Sequence, residues 1–135
     1  MNIKFANGII FEYLKAIEAE ELYNGSVRRT LTFEAAVDEI GVDALNTMLS
    51  DEANTQSITL TGAPVEVLDV DGNPTGEYTQ ATTIHDGYVL KCKCGIENKL
   101  VSTETSETAA MYEDRIVFKL AKHTYIEEML KKMRL

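Results

Sequence analysis

The sequence predicts a single α+β domain, residues 1–135, in which a mainly antiparallel β-sheet or partly closed barrel carries one short helix and an amphipathic C-terminal helix. Most of the chain consists of short runs rich in β-branched and aromatic residues, which favour strands. Turn-forming pairs such as Asn24-Gly25 and Asp86-Gly87 separate these runs, as is typical of tight hairpins. A helical period of apolar residues appears in only two places, one of them at the end of the chain.

The first strand is predicted at Asn2 to Ala6 and ends at Asn7-Gly8. The following residues, 9–22, fit two structures. Alternating apolar residues favour a strand from Ile9 to Ile17, whereas the run from Ala16 to Leu22 contains good helix formers. We favour the strand, because the Asn-Gly turn returns the chain alongside its first strand.

The clearest strand of the first half runs from Val27 to Ala35. Its apolar residues share one face with Arg29, while Arg28 lies on the opposite, polar face. The segment from Val42 to Leu49 repeats its apolar residues with a helical period and predicts the short helix. The polar residues Ser50 to Gln56 predict a loop.

The stretch from Tyr78 to Cys94 is predicted to be the centre of the sheet, with the other strands laid against it. From Tyr88 onward apolar and charged residues alternate, which indicates one buried and one exposed face. Short strands at Ser57–Thr61 and Val65–Val70 lead into this stretch through a turn at 71–76 that is dense in Asp, Gly and Pro.

The last part of the chain contains a strand, a polar loop and the terminal helix. Gly95 to Val101 extends the sheet, and the acidic run from Ser102 to Asp114 predicts an exposed loop. Ile116 to Leu120 alternates as the final strand. Thr124 and Glu127 have capping-box spacing, which satisfies backbone amides at the start of a helix.

The composition argues against several classes of function. Thirteen basic and 22 acidic residues give a net charge of −9, whereas nucleic-acid binding depends on Lys and Arg at the phosphates. No apolar run approaches the ~20 residues of a membrane span, and the N-terminus lacks the pattern of a signal peptide. We therefore expect a protein made in a cytoplasm, with no nucleic-acid or membrane partner.

The two cysteines raise the question of metal or redox chemistry. Cys92 and Cys94 lie two apart and share a face on a strand. A tetrahedral zinc site normally takes four ligands, and only His85 and His123 are available to complete one. Both cysteines continue the apolar face of Tyr88, and a free cysteine is commonly a small buried hydrophobe. We interpret them as core residues and expect no metal and no other cofactor.

A calcium loop is suggested by the spacing of Asp69, Asp71 and Asn73. The positions of such a loop that need Gly and Glu hold Pro74 and Gln80 instead. An Asp-Gly hairpin turn explains the same residues, so we interpret them as a turn.

Catalysis finds little support in the sequence. His85-Asp86 has the composition of an acid–base pair, but neighbours on a strand face opposite ways, and no Ser or Cys stands in a nucleophile motif. Arg28-Arg29 is too small a basic cluster for nucleic acid, and Arg29 is expected to pair with a carboxylate or to lie at an edge. We assign no catalytic residue and expect that the protein is not an enzyme.

The terminal helix is the best candidate for an interaction surface. Its apolar stripe consists of Ile126, Met129, Leu130 and Met133, and methionines adapt to varied partner surfaces. More often such a stripe covers a sheet of its own domain. Contact with a partner through these four residues is the functional hypothesis, and packing on the core is the structural one.

Three segments follow one another in a recognisable order: Ile3 to Gly8, Gly25 to Phe33, and Val117 to Glu127. Together they resemble small, poorly characterised proteins encoded among the tail genes of phages and prophages of Firmicutes bacteria. The resemblance implies a virion or assembly component that is made in the host cytoplasm and then enters the virion. It brings no active-site residues.

The leading hypothesis is a structural or assembly protein of a phage or prophage tail or baseplate, which acts through contacts with itself or with adjacent tail proteins. The alternative is a small ligand-binding β module whose sheet face or acidic loop holds a sugar or a metal. Ring-forming oligomers would favour the first hypothesis, and a monomer with a specific ligand the second.

Overall fold

The computed structural model describes residues 1–133 and places two antiparallel sheets around one apolar core. The predicted α+β class, dominated by antiparallel strands, is confirmed for these residues, but the sheets do not close into a barrel. In chain order the elements are β1 (Asn2–Lys4), β2 (Ile10–Glu12), β3 (Lys15–Tyr23), β4 (Ser26–Ala36), α1 (Val42–Ser50), α2 (Glu52–Thr55), β5 (Ser57–Thr61), β6 (Val65–Leu68), β7 (Pro74–Thr79), β8 (Thr82–Asp86), β9 (Tyr88–Leu90), β10 (Gly95–Ser102), β11 (Met111–Lys122) and α3 (Tyr125–Met133).

The sheets differ in size and in their connections. The smaller sheet has the strand order β2-β1-β5-β8, and the larger has the order β10-β11-β4-β3, with β9 also paired to β11. Strands β6 and β7 form a separate two-stranded hairpin that projects from the connection between β5 and β8. Strands β4 and β11, and not the stretch from Tyr78 to Cys94, are the middle of the larger sheet.

The core lies where the inner faces of the two sheets meet. Phe33 of β4 stands opposite Phe118 of β11, and their rings stack with centroids 4.9 Å apart. Phe11 of the smaller sheet meets Phe118 edge-on at 6.0 Å. Burial of such side chains is the main stabilising term in folding, and aromatic pairs in these geometries add to it. The three rings therefore join both sheets into one unit.

Residues 9–22 form strands, as favoured from the sequence, but the regular structure extends further than predicted. The single strand predicted from Ile9 to Ile17 is instead two strands: β2 belongs to the smaller sheet, and β3 begins at Lys15 in the larger sheet. Strand β3 then runs through the segment of good helix formers to Tyr23. It pairs with β4 along its whole length, from Lys15 opposite Glu34 to Tyr23 opposite Ser26. Tertiary pairing thus overrides the local helical preference.

The prediction for Tyr78 to Cys94 was wrong in one respect. The stretch is not a single central region, because β7, β8 and β9 belong to three different sheets. Gly87, with φ +77°, does not close a hairpin between β8 and β9. It lets the chain cross from the smaller sheet to the larger one, a backbone conformation that glycine adopts without steric cost.

Two predicted loops contain regular structure. Within 50–56, the Asp51 carboxylate accepts a hydrogen bond from the Ala53 amide at 3.1 Å and starts the short helix α2. Within 102–114, only the residues between Ser102 and Met111 connect the strands. The polar residues at the start of β11 pair across to β10, and Asn98 donates to Asp114 at 2.9 Å.

Helix α3 begins as the sequence predicts. Thr124 Oγ1 accepts from the Glu127 amide at 3.2 Å, and Glu127 Oε1 accepts from the Thr124 amide at 3.1 Å. This reciprocal pair is the predicted capping box. The end of the predicted helix at 134–135 lies outside the described residues.

Candidate functional site

The two cysteines occupy different environments. Cys94 is buried and Cys92 is exposed, because the chain leaves the strand after Leu90. The Asn46 side chain of α1 holds both backbone groups of Cys94, accepting from its amide at 2.8 Å and donating to its carbonyl at 3.2 Å. Burial raises the pKa of the Cys94 thiol and makes it a poor nucleophile and ligand. The core interpretation is right for Cys94 and wrong for Cys92.

The other sequence candidates for chemistry have structural partners. His85 packs edge-on against the Tyr88 ring at 5.9 Å. The Asp69 carboxylate accepts hydrogen bonds at 2.9 Å from the amides of Asp71 and Asn73, as the turn interpretation predicts. Among residues 1–133, no group of three or more His, Cys, Asp or Glu side chains lies close enough together to hold a metal ion.

A charged network covers part of the outer face of the larger sheet, opposite the core. Glu21 of β3 lies 2.7 Å from buried Arg28 of β4 and 2.6 Å from Lys119 of β11. The hydrogen bond from Lys119, and then that from Arg28, lower the pKa of Glu21. The Arg28 guanidinium also lies 3.9 Å from the centre of the Tyr23 ring, a cation–π contact.

A second ion pair on this face joins Glu34 of β4 to Arg115 of β11 at 3.1 Å. Both side chains are largely buried, so each charge is stabilised by the other. Arg115 also lies 3.7 Å from Glu113. Together with the Glu21 network, the pair links β3, β4 and β11 across the outer face. The sequence indicates this polar face through Arg28 and Glu34 but gives no sign of their partners. Arg29, as predicted, lies near carboxylates, 3.8 Å from Glu20.

About half of the large apolar side chains that are exposed in the described residues lie on three hairpins. They are Leu22, Tyr23 and Val27 at the β3–β4 turn, Val65, Leu68, Val70 and Tyr78 on the β6–β7 hairpin, and Ile96, Leu100, Met111 and Tyr112 on the β10–β11 hairpin. Each hairpin carries three or four such side chains, unlike the isolated exposed residues of an ordinary surface. The β3–β4 and β10–β11 turns lie at opposite ends of the larger sheet, so these groups are separate. The alternation of apolar residues in β10 and β11 does not predict that these side chains are exposed, because it does not show where the opposite sheet ends.

The predicted stripe on α3 is exposed where the structure describes it. Met129 and Leu130 are about half exposed, and Met133 is 77% exposed; the side chain of Ile126 lies outside the described residues. Glu127 fixes the start of the helix, with Oε2 3.0 Å from Lys91 Nζ. Partial burial alone would raise the pKa of Glu127, but hydrogen bonds from the Thr124 amide, Lys91 and His123 outweigh it and lower the pKa to about 2.

A shallow depression beside α1 is the kind of feature that a small ligand would need. Its polar lining includes Asn7, Thr47, Asp51 and Asn54. Each of these four side chains already makes a hydrogen bond to nearby backbone, which leaves Asp43 as the one further polar side chain of the lining. A binding site needs a few polar groups that converge on the ligand, so this depression gives no support to the ligand-binding hypothesis.

Comparison with known proteins adds no relative. No protein-family model, no curated protein and no solved structure matches the chain. Within residues 1–133, no helix has the length and apolar character required to cross a membrane.

Proposed function

We propose that this protein is a structural or assembly protein of a phage or prophage tail or baseplate, which acts through protein–protein contacts without catalysis. The phage context is supported by the resemblance of residues 3–8, 25–33 and 117–127 described above. The contact-based action is supported by one structural observation: about half of the exposed large apolar side chains lie on three β-hairpins.

The β6–β7 hairpin shows most clearly why these side chains favour assembly. A two-stranded hairpin is only marginally stable by itself in water. This one is shaped by internal polar contacts, with Thr75 Oγ1 donating to the Val67 carbonyl at 2.6 Å and Glu66 accepting from the Gly76 amide at 3.2 Å. Val70 and Tyr78 nevertheless stay exposed. A preformed hairpin loses less conformational entropy when it docks, which increases affinity for a partner.

The stripe on α3 supplies a second proposed contact, formed by Ile126, Met129, Leu130 and Met133. Its described members are exposed, while the capping box and the Lys91–Glu127 ion pair hold the start of the helix in place. A helix with an exposed apolar stripe can lie in a groove of a partner. Adjacent tail proteins and further copies of this chain are the proposed partners.

The test is reconstitution with the products of the neighbouring genes. We expect the chain to co-purify with at least one of them and to form regular particles or rings by electron microscopy. The double variant Met129→Lys/Met133→Lys should weaken this assembly while leaving the far-ultraviolet circular dichroism spectrum intact. The matched control Glu128→Lys/Lys132→Glu changes charge on the same helix outside the stripe and should assemble normally. A chain that stays monomeric with every neighbouring product would contradict the proposal.

A further inference from the structure

We propose that the free edge of β10 pairs antiparallel with the same edge of a second copy, around a two-fold axis at Asn98. This inference specifies one contact of the proposed assembly role and rests on that role for its biological meaning. The dimer itself can be tested without any tail protein. The occupant is a second copy because the sequence of β10 is complementary to itself when reversed.

The edge is available in the part of the chain that the structure describes. Strand β10 has a strand partner, β11, on one side only. The pairing with β11 is regular from Gly95 to Leu100 and becomes irregular between Leu100 and Ser102. Upstream, Asn46 covers the backbone of Cys94. The open edge is therefore a defined segment of six residues, and unpaired backbone groups of this kind are a template for another strand.

Reversal of this segment brings complementary residues together. With Asn98 opposite its own copy, Glu97 of each molecule faces Lys99 of the other, and Ile96 faces Leu100. Residues directly opposite in an antiparallel pair have their side chains in contact. The dimer would therefore contain two ion pairs and two apolar pairs, related by the two-fold axis as an isologous interface requires.

The two kinds of pair lie on different faces, which gives each an appropriate environment. Ile96 and Leu100 alternate onto the face of β10 that continues the core side, where Ile116 and Tyr112 are their neighbours on β11. Ile96, Leu100 and Tyr112 are all at least half exposed. Pairing would bury this apolar patch. Glu97 and Lys99 lie on the opposite face, where they are partly exposed and 3.8 Å from each other.

The other long edge of the same sheet is a poorer match to itself. Strand β3 carries Glu18, Glu20 and Glu21 against the single lysine Lys15. Pairing β3 with its copy around Ala19 would place Glu18 opposite Glu20 twice, and like charges directly opposite destabilise a strand pair. Pairing through β10 leaves β3, the β6–β7 hairpin and α3 free for other partners.

The charges provide the test, measured by sedimentation equilibrium on the purified full chain. Glu97→Lys and Lys99→Glu each place like charges opposite one another twice, so each variant alone should weaken dimerisation by about ten-fold or more. A one-to-one mixture restores both opposite-charge pairs, and the heterodimer should form as tightly as the wild type. A folding defect cannot produce this rescue. The controls Glu104→Lys and Lys93→Glu, exposed near the same hairpin, should leave the dimer unchanged.

A disulfide cross-link checks the register even where a charge variant folds poorly. Asn98→Cys in a Cys92→Ser background places two thiols on the axis, where opposite Cα atoms lie at a distance that a disulfide spans. Oxidation should convert this variant to a covalent dimer. The control Lys93→Cys, in the same background and oxidised for the same time, should stay monomeric. A monomeric wild type, or a dimer that neither cross-links at 98 nor responds to the charge changes, would overturn the proposal. If the dimer forms but no tail protein binds, only the tail role fails.

Discussion

The middle strands and the edge strands of the larger sheet contain the same kinds of residue, but these residues have different roles. In β4 and β11, apolar side chains fill the core on one face, and on the other face Glu34 of β4 pairs with Arg115 of β11. In β3 and β10, apolar side chains such as Leu22 and Leu100 are exposed, and most charged ones are in solvent. Glu21 of β3 is the exception, because it pairs with Arg28 and Lys119. Stability is therefore concentrated in the middle strands, and the outer edge of β10, which has no strand partner among the described residues, can take one without loss of the fold.

The largest expected effect comes from the core of the middle strands. Phe118→Ala removes a ring that stacks on Phe33 and contacts Phe11, and it should lower the free energy of unfolding by about 3–5 kcal/mol. Tyr112→Ala is the matched control, since Tyr112 lies on the same strand and the same face but is exposed. Urea denaturation should show a change of less than about 1 kcal/mol for the control. Equal losses of unfolding free energy in the two variants would contradict the proposed difference between the middle and the edge of the sheet.

The ion pairs of the middle and edge strands should also differ in how much they contribute to the free energy of unfolding. Glu34→Ala leaves Arg115 buried without its partner at 3.1 Å, and we expect a loss of about 2 kcal/mol in the free energy of unfolding. Glu18→Ala removes a carboxylate 4.0 Å from exposed Arg29 at the edge and should cost less than about 0.5 kcal/mol. A double-mutant cycle of Glu34 with Arg115 should give a coupling energy larger than that of Glu18 with Arg29; similar couplings would argue against the buried network.

The attachment of α3 should depend on pH through Glu127. Its pKa is about 2 in the folded chain and 4.5 in the reference state, so the folded state binds the proton less tightly. The stabilisation is complete above pH 4.5 and is lost as the pH falls toward 2, by on the order of 1 kcal/mol for a side chain partly in solvent. A carboxyl titration by nuclear magnetic resonance measures this pKa directly. Glu127→Gln should remove the pH dependence of helix docking, whereas the neighbouring exposed control Glu128→Gln should keep it.

The smallest effect on stability is expected at the cysteines. A thiol reagent should label exposed Cys92 rapidly in the native protein and reach buried Cys94 only on unfolding. Cys92→Ser should leave the free energy of unfolding unchanged within about 0.5 kcal/mol. Equally fast labelling of both thiols would show that the Asn46 contacts do not hold Cys94 in place.

The sequence predicted the residues that form strands better than it predicted their partners. Strand β4, helix α1 and the capping box of α3 follow from local patterns, because alternation, helical period and cap spacing lie within a few residues of one another. The division of 78–94 among three sheets does not, since Asp86-Gly87 has the same sequence signal whether it closes a hairpin or lets the chain cross between sheets. Long-range pairing decides between these outcomes, and no local pattern encodes it.

The candidate surfaces were predictable to a smaller extent. The stripe on α3 is visible in the sequence as a helical period, and its described members are exposed. The exposed side chains of β10 and β11 look like core residues, because Ile96 and Leu100 alternate as Phe118 and Leu120 do. Ile96 and Leu100 differ from these core residues only because the opposite sheet ends before it covers them. The charged network on the outer face was missed because Glu21 and Lys119 are separated by most of the chain.

The most direct test of the account is hydrogen exchange of the backbone amides measured at increasing protein concentration. Amides of β4 and β11 should be strongly protected at every concentration, because both strands are paired on two sides. Amides of β10 between Gly95 and Leu100 should be weakly protected in dilute protein and gain protection as dimers form, while those along β3 should not change. Protection of β10 that is independent of concentration, in a chain that sedimentation shows to be monomeric throughout, would contradict the claim that this edge is where the molecule assembles.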